Sequence, residues 1–209
     1  MAIYTSKTRI DLEDVGYSNK ITNKAILKIL ENAGARQSET IHFGLNDMEN
    51  VGFSWILLGW KVKILKRPIY NEELTINTWG RESNRIFTYR DYEIYDESGE
   101  LCTIATSKWA IVDINTGKLR ELTPEIIEKY QCETKKVFKE DYTLKLKEPT
   151  TIIRKQEYKA QRRDIDINKH IHNLYYLDYA YEVLPEEVYE APECLSLIHI
   201  SEPTRRVVI

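Results

Sequence analysis

The 209-residue chain is 42% hydrophobic and 30% charged, which suits an ordinary folded protein of one large domain or two small ones. Its formal net charge of −3 argues against broad nucleic-acid binding, which needs a basic face, although a local basic patch is compatible with it. Cys102, Cys132 and Cys194 are scattered and lack C-x-x-C spacing, which disfavours a disulfide framework and a zinc site and fits a reducing cytoplasm.

In chain order, Met1 to Arg9 contains no continuous apolar run of the kind a signal peptide carries, and no later stretch approaches transmembrane length. Ile3 to Ile10 reads as a short strand. Ile21 to Ala33 places Ile26, Leu27, Ile29, Leu30 and Ala33 on one face, the spacing of a helix buried on one side, and Gly34 is placed to end it. Strands follow over Val51 to Leu65, Glu73 to Trp79, Arg85 to Tyr95 and Leu101 to Val112. The last two are joined by the hairpin turn Asp96-Glu97-Ser98-Gly99. Asn115-Thr116-Gly117 is a further turn, and Thr123-Pro124-Glu125 opens a short helix through Lys129. Gln131 to Pro149 is charged and aperiodic, a linker, and Thr151 to Ala160 reads as a strand again. The fourteen tyrosines suit sheets and a cleft that is half polar and half apolar.

The segment from Asp164 to Asn173 crowds Asp166, Asn168 and His170 into five positions just before an amphipathic helix that begins Leu174-Tyr175-Tyr176-Leu177. Histidine titrates nearest neutrality, a carboxylate can orient it, a carboxamide can donate to a carbonyl, and a helix start offers unpaired N–H groups. Those are the parts of a hydrolytic site. Asp and Asn also serve turns and helix caps for purely local reasons.

An internal comparison separates the two uses. Asp14 to Leu27 lies over Asp164 to Leu177 without a gap, offset by 150, with Asp14/Asp164, Ile21/Ile171, Asn23/Asn173 and Leu27/Leu177 identical. Gly16, Ser18 and Lys20 stand where Asp166, Asn168 and His170 stand. Residues needed only to build the turn should recur in both copies. The trio does not, so the second copy is read as the working site and the first as support.

The chain resembles the acyl-acyl-carrier-protein thioesterases of plants and bacteria over roughly its first 190 residues. The likeness runs through Leu58 to Val62, Pro68 to Tyr70, Leu74 to Trp79, Arg90 to Asp96 and Thr106 to Asp113, and through D-x-N-x-H-x-x-N before an aromatic helix. It implies an α+β double hotdog: two units in tandem, each a long helix wrapped by a curved antiparallel sheet. The expected division is a first hotdog over residues 1–131 holding the acyl chain, a linker over 132–150 and the start of a catalytic second hotdog over 151–194.

The same resemblance implies Asp166, Asn168 and His170 as catalytic positions and Asn173 as a scaffold residue. The reaction would be hydrolysis of a fatty acyl thioester on acyl carrier protein, releasing free fatty acid. His170 would activate water, or assist a carboxylate that does, and neither metal nor organic cofactor is needed. Trp55, Leu57, Trp60 and Trp79 are candidates to line the acyl cleft, although core packing is the commoner work of such residues. Arg162 and Arg163 could meet the acidic carrier or its phosphopantetheine, or be a solvated strand end. His42 is assigned to a structural loop, His172 to the helix start and Cys102 to the core.

From Cys194 onward the pattern fails. Residues 195–209 resemble the translation of a sequencing-library adapter, so His199, Glu202 and Pro203 are expected to carry no function. With the offset of 150, strands matching Val51 to Asp113 would begin near Ser201, so the second hotdog is expected to be incomplete, to lack a family glutamate and to expose apolar surface. Two alternatives remain: an acyl-CoA thioesterase of the same fold, and a non-catalytic acyl-binding hotdog. A homodimer is compatible with either.

Overall fold

A computed structural model describes residues 3–81, 84–139, 156–167, 169–189, 191 and 194–199. Strand β1 (Tyr4–Arg9) leads through a one-turn 3-10 segment (Leu12–Asp14) to helix α1 (Asn23–Thr40) and the short helix α2 (Met48–Val51). Strands β2 (Phe53–Ile64), β3 (Glu73–Gly80), β4 (Phe87–Tyr95), β5 (Leu101–Asp113) and β6 (Leu119–Arg120) follow, then helix α3 (Pro124–Tyr130). The second unit contributes a 3-10 turn (Arg162–Asp164), helices α4 (Asn173–Tyr181) and α5 (Glu186–Tyr189), and strand β7 (Cys194–His199).

The main sheet is antiparallel with strand order β1-β3-β4-β5-β2-β7, and β6 adds to β5. One face of it packs on α1. Alternation along β3 turns Leu74 and Ile76 inward, where they meet Ile26, Leu27 and Leu30 of α1 with Trp60, Val62 and Ile94 from the sheet. The β2–β5 register shifts between Leu57 and Gly59, a bulge that bends the long strand pair. Thr22 caps α1 by accepting a 3.1 Å hydrogen bond from the Ala25 N–H, which places the helix start two residues after Ile21.

Gly34 does not end that helix. It lies inside it, because a Cβ there would sit 3.1 Å from the Tyr92 hydroxyl and 3.2 Å from Arg90 Cδ. The glycine marks a close approach of helix to sheet, and α1 continues to bury Gln37 and Ser38. Arg90 beneath it donates to Gln37 Oε1 and, at 3.2 Å, to Thr78 Oγ1, so the buried guanidinium is matched by fixed acceptors.

The beginning of the expected linker is stitched to the first unit. Glu133 N–H donates to the Gly80 carbonyl at 2.8 Å, Lys135 carbonyl accepts from Trp79 Nε1 at 3.0 Å, and Val137 N–H donates to Asp91 Oδ2 at 3.0 Å. Of the strand expected over 151–160, residues 156–160 adopt no regular element and 151–155 lie outside the described residues.

Helix α4 does not stand uncovered. Leu174 and Leu177 join the same apolar cluster as Ile26 and Leu30, so the second unit's helix closes over the first unit's core. Lys24 of α1 pairs with Asp178 of α4 and lies over the Tyr175 ring at 4.5 Å. Exposed apolar residues do occur in the second unit, notably Ile165, Ile167 and Val188. Strand β7, which includes residues 195–199 of the anomalous tail, pairs with β2 from Gly59 to Ile64. Residues 200–209 lie outside the described residues.

Candidate active site at the second helix start

The two copies make the same backbone contacts at their described residues. In the first, Val15 bridges Ile21, Gly16 N–H donates to the Lys20 carbonyl at 3.0 Å, and Asn19 adopts φ 61. In the second, Ile165 bridges Ile171, Asp166 N–H donates to the His170 carbonyl at 2.8 Å, and Lys169 adopts φ 63. In both, the residue before the helix donates its N–H to the carbonyl of the repeated aspartate: Thr22 to Asp14 and His172 to Asp164. Every equivalent pair is offset by 150, as in the sequence.

The repeated aspartates are scaffold. Asp164 is buried, and its Oδ2 accepts from the Gln161 N–H at 2.6 Å and the Tyr179 hydroxyl at 2.7 Å. Asp14 is buried likewise, its Oδ2 accepting from the Asp11 N–H at 3.1 Å while Lys28 pairs with Oδ1 at 2.5 Å. Each carboxylate closes the 3-10 turn that launches its loop.

The structure brings Asp166 and His170 together at the loop neck. Asp166 Oδ1 accepts from the His170 backbone N–H at 3.2 Å, which leaves the His170 side chain exposed at the loop surface. Asn168 lies outside the described residues. His172 is the N-cap of α4, as Thr22 is of α1, and its Nδ1 accepts from the Leu174 N–H at 3.3 Å. That bond requires an unprotonated Nδ1, so the neutral ring carries its hydrogen on Nε2. Burial holds the imidazole below its ordinary range, with Asp166 pulling the other way.

A carboxylate from the first unit meets the start of α4. Glu31, on α1, accepts a hydrogen bond from Asn173 Nδ2, and its Oε2 lies 3.9 Å from His172 Nε2. Burial raises its carboxyl to about 7; the Asn173 bond opposes that rise, and the charge of Asp166 adds to it. Sequence reasoning missed Glu31. The available signal was the repeat itself, since the position 150 residues on holds Tyr181.

The four candidates for an acyl cleft are not gathered into one surface. Leu57 and Trp60 belong to the main core, while Trp55 packs edge-on to Tyr130 at 5.7 Å in a second cluster. Trp60 and Trp79 are both 0% exposed, so in this conformation neither has a face to offer an acyl chain. Cys102 is buried in β5 as expected, and burial pushes its thiol up to about 11. His42, also as expected, sits in the turn after α1, 3.8 Å from Asp47. Arg162 and Arg163 occupy the exposed 3-10 turn ahead of the loop. Among the described residues no group of three His, Cys, Asp or Glu side chains is set to hold a metal ion, and no helix is long and apolar enough to cross a membrane.

Comparison with known proteins matches residues 1–130 to the acyl-ACP thioesterase N-terminal domain and residues 147–201 to the acyl-ACP thioesterase C-terminal domain. The oleoyl-acyl carrier protein thioesterase 1 of Arabidopsis thaliana chloroplasts is 25% identical over 206 residues, covering 91% of this chain and 57% of that protein. The chain thus spans a little over half the length of that curated relative. Among solved structures, an acyl-ACP thioesterase from Bacteroides thetaiotaomicron superposes with a TM-score of 0.79 at 21% identity, over 95% of this chain and 84% of that one. The 12:0-ACP thioesterase of Umbellularia californica gives 0.75 at 19% identity, over 91% and 78%. At those identities the two structures establish the hotdog fold.

Proposed function

This chain belongs to the acyl-ACP thioesterase family, and from that membership we propose that its second helix start hydrolyses the thioester between a fatty acyl group and the phosphopantetheine of acyl carrier protein. The observation that carries this reading is the unequal duplication. Two loops make the same backbone contacts at their described residues, but only the second bears Asp166, Asn168 and His170, and a first-unit carboxylate faces the helix that follows it.

In this reading the thioester carbonyl rests at the α4 N-terminus, where the helix dipole and N–H groups favour the developing oxyanion. Water adds to the carbonyl carbon, its proton passing to His170 or to a carboxylate that His170 assists. The C–S bond then breaks and the thiol leaves protonated. Asp166 holds the His170 backbone and so fixes where the imidazole stands. Asn168 is proposed to orient the carbonyl or the water. The acyl chain is proposed to run toward the first unit, residues 1–131, with residues 132–150 as connector, 151–194 as the catalytic unit and 195–209 as non-native tail. A soluble cytoplasmic enzyme meeting the carrier through Arg162 and Arg163 fits the negative carrier and the two exposed cations.

The deciding experiment is His170→Ala in the full chain, assayed with acyl-ACP and acyl-CoA. The reading expects about a thousand-fold loss of thiol release, the scale on which a general base contributes, with acyl-ACP binding retained. Unchanged hydrolysis would remove His170 from the site. Faster turnover of acyl-CoA than of acyl-ACP would move the substrate class, and acyl binding without hydrolysis by the unaltered chain would favour a non-catalytic binding protein.

A further inference from the structure

We propose that Glu31 of the first unit is the acid–base carboxylate of this site, so that the working centre is assembled from both units. The inference rests on the reading of the second helix start as a thioester-hydrolysing site, and it names the carboxylate that takes the proton.

Three structural facts converge on Glu31. It is the one acidic side chain that α1 presents to the α4 start among the described residues, tied to the helix's first residue through Asn173 Nδ2 and lying 3.9 Å from the capping imidazole of His172. Its side chain is 15% exposed, enclosed enough to strengthen electrostatics yet open to a water. The repeat places Tyr181 at the equivalent position, so the carboxylate, like the Asp166–His170 loop, occurs on one side only of a duplicated frame.

A largely enclosed carboxylate is costly to keep, and holding the helix-start asparagine does not by itself require one. The equivalent first-copy asparagine, Asn23, uses its Oδ1 to accept from Arg67 Nη2 at 2.7 Å, so a helix-start asparagine can be anchored without a carboxylate.

The surroundings set its proton affinity near neutrality. His172 and Asn173 face it from α4, Asp166 from the loop, and the Tyr92 phenol from β4, while Lys24 one face along α1 is engaged by Asp178. Burial and the Asp166 charge disfavour the anion; the Asn173 bond favours it. A base matched to neutral pH results.

The step balances without a further reactant. Glu31 carboxylate accepts one proton from water as the water oxygen bonds to the thioester carbonyl carbon. The tetrahedral intermediate then collapses, breaking the C–S bond, and the Glu31 carboxyl returns that proton to the departing sulfur. Products are the carboxylic acid and the thiol.

The test compares the full chain with Glu31→Gln and Glu31→Asp, following thiol release from acyl-ACP between pH 5 and 9. Glutamine keeps an oxygen for Asn173, so the anchor survives while the base is lost. The expected result is a fall in kcat of a hundred-fold or more with KM changed less than three-fold, and loss of the rise in kcat centred near pH 7. Glu31→Asp should keep a pH-dependent rise with lower kcat, and it carries the test if the glutamine variant does not fold. Retention of kcat and of the pH rise by Glu31→Gln, or flat pH dependence of a folded, active Glu31→Asp, overturns the inference while leaving the hydrolase reading intact. An unaltered chain that releases no thiol overturns both.

Discussion

The Asn173 carboxamide donates to the Glu31 carboxylate, so the first residue of the second unit's helix is bound to the middle of the first unit's helix. The contact joins positions 142 residues apart in the chain. Neither unit can shift against the other without disturbing the candidate site, which gives the carboxylate a measurable effect on stability as well as a proposed part in the chemistry.

That effect depends on pH in a definite direction. The folded chain holds the Glu31 carboxyl at about 7, above its ordinary 4.5, so the folded state binds the extra proton between those values. Stability associated with Glu31 is therefore full below 4.5, declines as pH rises to about 7 and stays reduced above it. Glu31→Gln should match the unaltered chain near pH 4.5 and exceed it at pH 8.5, by about 3 kcal/mol at most. Urea denaturation at both values reads the difference. Equal midpoints at pH 8.5 would mean the carboxyl is not held up.

Asp164→Ala should lower stability by about 3 kcal/mol, because it strands the Gln161 N–H and the Tyr179 hydroxyl that both donate to the buried carboxylate. Tyr179→Phe removes one donor without stranding a backbone group and should cost about 1 kcal/mol. Denaturant midpoints of the two variants should fall in that order; the reverse order would reassign the anchor.

The left-handed residues of the two loops allow a paired comparison. Lys169 sits at φ 63 and Asn19 at φ 61. Lysine tolerates that conformation poorly, whereas asparagine tolerates it well. Lys169→Gly should raise stability by up to about 1 kcal/mol, and Asn19→Gly should change little. A thermal melt in which both substitutions destabilise equally would contradict this account of the loop.

Gly34→Ala tests the close approach under α1. Alanine gains about 1 kcal/mol of helix propensity, but its Cβ would press on Tyr92 and Arg90, whose polar atoms are held in a buried network. The packing cost should win, giving a net loss of about 1 kcal/mol. A gain in denaturation midpoint would show that the sheet yields.

Much of this arrangement was legible in the sequence. The strands of the first unit fell where apolar alternation placed them, since Leu74, Ile76 and their partners must face one way in a pleated sheet. The repeat was legible too, and its aspartates, helix-start asparagines and left-handed turns recur in three dimensions at the same offset. Gly34 misled because a glycine that ends a helix and one that admits a neighbour look alike in one dimension. Trp60 and Trp79 carried both readings in the sequence, for an aromatic on a strand can line a cleft or fill a core; in the folded chain both side chains are fully buried.

The sequence by itself determined the duplication, the antiparallel strands and the singularity of the Asp166–Asn168–His170 loop, because these depend on local pattern and on comparison of a chain with itself. Tertiary structure decided that α4 shares the first unit's core and that Glu31 meets Asn173 and His172. The physical reason is that packing brings together side chains far apart along the chain. Burial then changes what such a carboxyl does near neutral pH, and no local spacing encodes that.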